Sequence, residues 1–112
     1  MTNRSFIADE EIDRALDYLR DNANAAAQAR ADRIYVEEYR KTVKAQIMKE
    51  YAQLPLAAQE REAYADPRYA AHLDAVRDSV FQDERHRFLL AAASAKIEAW
   101  RTQSSNERAM KL

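Results

Sequence analysis

The chain has no glycine and no cysteine among its 112 residues, and only two prolines, Pro55 and Pro67. Tight hairpins and phosphate-cradling loops usually need a residue that tolerates positive φ, so strand-rich folds and glycine-loop nucleotide sites are not expected. Disulfides, thiolate catalysis and cysteine-based zinc centres are excluded outright. No stretch approaches the roughly 18 uninterrupted apolar residues of a membrane span, and the opening MTNRSFIADEEIDRAL has no long apolar run. A cytoplasmic protein with no membrane partner is the expectation. Net charge is lacking too: 18 Lys and Arg against 19 Asp and Glu leave −1, which argues against the disorder that a strongly charged, core-poor chain would show.

What remains is helix-forming material. Of the 47% hydrophobic residues, twenty-three are alanine, and Leu, Ile, Val and Phe together number only twenty. Alanine, Glu, Arg and Leu are strong helix formers, so the reading is all-α, in one domain, with a thin core. Both prolines fall in QLPLAAQEREAYADP, Gln53 to Pro67. Each suits the first position of a helix and forces the residue before it, Leu54 or Asp66, out of helical geometry. The expected architecture is a long antiparallel helical hairpin: arm one over about 8–53, a connector over 54–66 with its own short helix from Pro55 to about Tyr64, and arm two over about 67–105.

Ser5 or Asp9 is the expected cap of arm one, with Asp9, Glu10, Glu11 and Asp13 against the positive end of the helix dipole. Ile12, Leu16, Leu19, Ala23, Ala27, Ala31, Ile34, Tyr39, Val43, Ile47, Tyr51 and Leu54 recur at spacings of mostly three and four and read as its apolar stripe. Asp66 caps arm two. Its stripe reads Tyr69, Leu73, Val76, Val80, Phe88 or Leu89, Ala92, Ala95 and Trp100, fading near Ser104 to Asn106.

A reversal centred near residue 59 sets Asn22 to Ala31 opposite Leu89 to Ala95, alanine on alanine, and lands Trp100 beside Tyr18 and Leu19. Charge favours the same antiparallel order. Residues 8–32 carry seven acidic and three basic side chains, against two and six over 85–112. Residues 33–50 carry three acidic and five basic, against seven and three over 60–84. A two-helix hairpin has one seam and buries little area per residue, and Tyr35, Val36, Met48, Phe81, Leu90, Ile97 and Met110 lie outside the main stripe. Self-association into a dimeric four-helix bundle is therefore expected.

The chemistry-bearing candidates are few. Arg33, Tyr35, Tyr39, Arg40, Lys41 and Lys44 form the densest basic and aromatic stretch, and cations interleaved with aromatics suit phosphates and bases. Arg33, Arg40, Lys44 and Lys41 can share one side of the helix, with Glu37 and Glu38 diluting the patch. Trp100 and Arg101, before a polar run, suit docking of a protein partner or nucleic acid. Asp83, Glu84 and His86, with His72 and Asp74, invite a metal reading, but they supply a single Asp-x-x-His with no histidine on the other arm, so no metal or cofactor is assigned. No serine sits in a nucleophile elbow, which needs glycine, so no enzymatic activity is expected. The leading expectation is an interaction module that binds itself and a protein partner; nucleic-acid binding is the alternative.

The phrases EREAYADPRYAAHLDAV, Glu60 to Val76, and KIEAWRTQSSNERA, Lys96 to Ala109, resemble those of small all-helical proteins encoded by bacteriophages and prophages. That resemblance implies a bacterial or phage setting and an accessory role, including one beside DNA recombination or replication, and assigns no residue a function.

Overall fold

Asp66 marks the sharpest local decision in the chain. Standing before Pro67, it cannot continue a helix, and it adopts extended geometry at φ −75° and ψ 136°. Its carboxylate accepts the Arg68 backbone N–H at 2.8 Å, so one residue ends the connector helix and caps the next. In a computed structural model that describes residues 6–111, three helices follow: α1 (Asp9–Lys49), α2 (Leu56–Ala65) and α3 (Pro67–Lys111). No strand is present among the described residues.

Three local expectations are corrected. The candidate cap Ser5 lies outside the described residues, and Asp9 is the first helical residue instead, with the Ala8 carbonyl accepting from the Glu11 and Ile12 amides. α1 stops at Lys49 rather than near residue 53, and the chain leaves through turns closed by Glu50, Tyr51 and Leu54 amides before Pro55. The Gln59 side chain donates to the Leu54 carbonyl at 2.8 Å, covering an acceptor that no helix satisfies. α3 does not fade at Ser104; it continues to Lys111.

The chain divides into two compact units, residues 6–26 with 85–111 and residues 27–84. In the first, α1 and α3 segments run antiparallel: the Gln103 side chain exchanges hydrogen bonds with the Ile7 amide and carbonyl, Trp100 Nε1 donates to Asp9 at 3.1 Å, and Lys96 pairs with Glu11 at 3.7 Å. Its least exposed apolar residues are Ile12 and Ala15. Trp100 therefore meets α1 nine residues before the expected Tyr18, about 13 Å along the helix. Leu89, Ala92 and Ala93 share a shallow pocket with Ala15 and Tyr18.

The second unit joins the remainder of α1, α2 and the start of α3 around Ile47 and Ala63, both almost wholly buried. Arg33 donates to Asp83 and Glu84, each at 3.1 Å. His72 Nε2 lies 2.7 Å from the Val36 carbonyl, which can only accept, so Nε2 carries the hydrogen. Lys44 pairs with Glu60 at 3.0 Å. In both units the ion pairs follow the charge complementarity expected of antiparallel segments.

The inward faces keep Ile12, Leu19, Val43, Ile47, Tyr69, Val76 and Trp100 of the expected stripes, with Val80 half-buried next to Ser79, and depart from them elsewhere. On α1 they are Ile12, Ala15, Leu19, Asn22 and Ala26 in the first unit and Ala29, Arg33, Val36, Val43 and Ile47 in the second. On α3 they are Tyr69, His72, Val76, Ser79 and Asp83 in the second unit, then His86, Leu90, Ala93, Ile97, Trp100 and Ser104 in the first. On α3 these follow a strict alternation of three and four, the 3.5-residue repeat of coiled-coil seams, and on α1 the same alternation is interrupted once, at the exposed Arg40. Leu16, Ile34, Leu73, Phe88 and Leu89, expected inside, are exposed.

Arg68 ties the turn region together, donating to both Glu50 oxygens and both Asp66 oxygens at 2.7–3.0 Å. Those hydrogen bonds hold both carboxyls below their ordinary 4.5 and 3.8. On acidification the unfolded chain takes up these protons before the folded one, so stability falls as pH drops through 4.5 and on through the lowered native values. Denaturation midpoints measured from neutral pH into that window should fall in the native chain and fall less in Arg68→Met.

A candidate basic and aromatic cleft

The second unit brings three of the cations together. Arg40, Lys41 and Lys44 fall within little more than one turn of α1, and with Tyr64 at the end of α2 and Tyr69 at the start of α3 they line an open cleft of about 350 Å³. The turn at Glu50 to Leu54 sets α2 against α1, bringing Tyr64 to Lys44, twenty positions earlier. The Tyr64 and Tyr69 rings meet edge to face, with centroids 5.3 Å apart. Lys44 Nζ lies 4.8 Å from the Tyr64 ring centroid, a cation–π distance. Tyr64, and after it Glu60, hold the Lys44 ammonium above its ordinary pKa.

Within the cleft the cations are unequally engaged. Lys41 bonds Glu38 at 3.1 Å but remains 74% exposed, so the pair is weak and easily exchanged. Arg40 is exposed and has no ion-pair or hydrogen-bond partner among the described residues. It continues the three-and-four alternation of the α1 seam, where its neighbours Arg33, Val36, Val43 and Ile47 are at least half-buried.

The other sequence candidates lie elsewhere. Arg33 is held by Asp83, Glu84 and Glu37, bonds that raise its pKa, that to Asp83 most. Tyr35 and Tyr39 stack on each other at 5.8 Å, and Tyr39 continues to His72 at 5.9 Å. By helical spacing these two tyrosines occupy a different flank of α1 from Arg40 and Lys44. In the first unit, Trp100 donates to Asp9 and Arg101 makes an exposed i,i+3 pair with Glu98 at 3.1 Å, away from the cleft. Tyr64 and Tyr69 were absent from the sequence candidates; their only signal was nearness to the Asp66-Pro67 corner, which carries no information about α1.

Of the metal candidates, Asp83 and Glu84 accept from Arg33 and His72 is bonded to Val36, while His86 keeps a buried Nδ1 without a hydrogen-bond partner. Among the described residues no three of His, Cys, Asp and Glu gather where an ion could sit. No helix among them is long and apolar enough to cross a membrane.

No family model matches the chain, and no curated protein or solved structure matches it.

Proposed function

We propose that this chain is a non-enzymatic helical interaction module that assembles with copies of itself and presents the resulting surface to a protein partner. The observation behind this reading is the distribution of apolar side chains. Among the described residues four apolar side chains are buried, Ile12, Ala15, Ile47 and Ala63, whereas twelve large ones stay exposed. Soluble monomers keep large apolar groups outside singly, and clusters of them mark contact surfaces.

Phe81 and Phe88 are the clearest cases, 62% and 65% exposed. Each sits opposite the three-and-four face of α3, the outermost position of a coiled-coil heptad, where polar residues are the rule. In the second unit Ile34, Tyr35 and Leu73 are exposed as well; in the first, Leu16 and Leu89. A dimer that pairs such faces makes a four-helix bundle with a second seam. The phage or prophage setting rests on the resemblance of Glu60 to Val76 and Lys96 to Ala109 alone.

Light scattering coupled to chromatography over a concentration series tests the reading. The expected mass is a multiple of 13.0 kDa. Phe81→Glu and Phe88→Glu should shift it towards the monomer with helical content unchanged. A native chain that elutes as a monomer at every concentration would remove the proposal.

A further inference from the structure

We propose that the cleft lined by Arg40, Lys41, Lys44, Tyr64 and Tyr69 is a binding site for single-stranded nucleic acid. In it, the three cations take the phosphate backbone and Tyr64 takes a base. This goes beyond self-association and uses none of the exposed phenylalanines.

Four observations converge on it. Three cations project from little more than one turn of a single helix, and the carboxylates against them engage only two, Glu38 on Lys41 and Glu60 on Lys44. Arg40 is left over, exposed and without an internal partner; a planar guanidinium with five donors suits a phosphate's oxygens better than any other side chain. Tyr64 is 52% exposed, with the Lys44 ammonium over its ring and the Tyr69 ring perpendicular to it. A ring held by neighbours yet half exposed is a stacking platform. The cleft volume of about 350 Å³ exceeds what one phosphate needs and suits a nucleotide unit.

The same features select the strand form. Stacking on Tyr64 needs a base with a free face, which a duplex interior does not offer and an unpaired strand does. No amide or carboxylate side chain lines the cleft, so recognition rests chiefly on charge and stacking, and sequence preference is expected to be slight. The Tyr35 and Tyr39 pair, on the other flank of α1, takes no part.

Fluorescence anisotropy of a labelled oligothymidylate with the full chain tests the assignment. Three phosphate contacts, each contributing a slope of about 0.7, predict that affinity falls roughly 20-fold between about 50 and 200 mM salt. In R40E/K41E, two exposed positions whose exchange leaves the helix signal intact in circular dichroism, affinity should drop more than tenfold and the salt slope should flatten. Tyr64→Leu should weaken binding about tenfold, the scale of one lost base stack, with the slope retained. A labelled duplex of the same length should bind more weakly.

No anisotropy change at about 50 mM salt, where such contacts are strongest, would overturn the proposal. So would unchanged affinity in R40E/K41E, equal binding of duplex, or complete displacement of the strand by inorganic phosphate at matched phosphate concentration, which would make the cleft a simple anion site. Light scattering on R40E/K41E should return the native mass, so loss of strand binding is separable from loss of assembly.

Discussion

Ile47→Ala is expected to cost about 2–5 kcal/mol of folding stability, the range for deleting a branched side chain from a site that cannot collapse. Domains of this size have about 5–15 kcal/mol in total, so the variant should melt far below the native chain and lose amide protection over residues 27–84. The reason is concentration of the core. Ile47 is 1% exposed and is the only large side chain among the described residues that is fully buried. A bundle with many buried leucines would spread such a loss; this unit has no second residue of that kind. Leu16→Ala is the matched control, because Leu16 is 50% exposed and its truncation leaves no cavity. Urea denaturation of the two variants checks the claim, and equal losses would refute it.

Ala63→Leu is expected to destabilise by about 1–3 kcal/mol through overpacking. Ala63 is 0% exposed and is the one buried residue of α2. With ten residues α2 is too short to be helical alone and depends on docking. A larger side chain at its contact point lifts the helix away from α1 and carries Tyr64 with it, so strand binding at the cleft should weaken alongside stability. Ala63→Gly separates the causes. It removes no packing volume beyond a methyl and costs about 1 kcal/mol in helix propensity, so it should destabilise less and leave the cleft in place. Denaturation midpoints and the anisotropy titration read both effects, and Ala63→Leu matching Ala63→Gly in each would count against the docking role.

The seam shows why apolar spacing placed Ile12, Leu19, Val43, Ile47, Tyr69, Val76 and Trp100 correctly and misassigned other positions of the buried face. An amphipathic stripe is sought by joining the largest apolar residues, which here run through Leu16, Ile34, Leu73 and Phe88, all exposed in the structure. The inward face is instead occupied in part by Asn22, Arg33, His72, Ser79, Asp83 and His86. Polar groups inside a seam are tolerated when partnered, as Arg33 is by Asp83, and such pairs fix the pairing register at some cost in stability. Spacing alone cannot distinguish a polar seam residue with a partner from a surface one.

By itself the sequence determined the all-helical state, the corner at Asp66 and Pro67, the short connector helix and the antiparallel order of charge. These rest on chemistry within a few residues: propensity, proline sterics, a capping carboxylate and runs of like charge. Only the tertiary structure decided which faces meet, where Trp100 lands and which tyrosines join Arg40, Lys41 and Lys44. Those depend on contacts between residues far apart in the chain, where a shift of one heptad along the partner preserves every local preference and changes every neighbour.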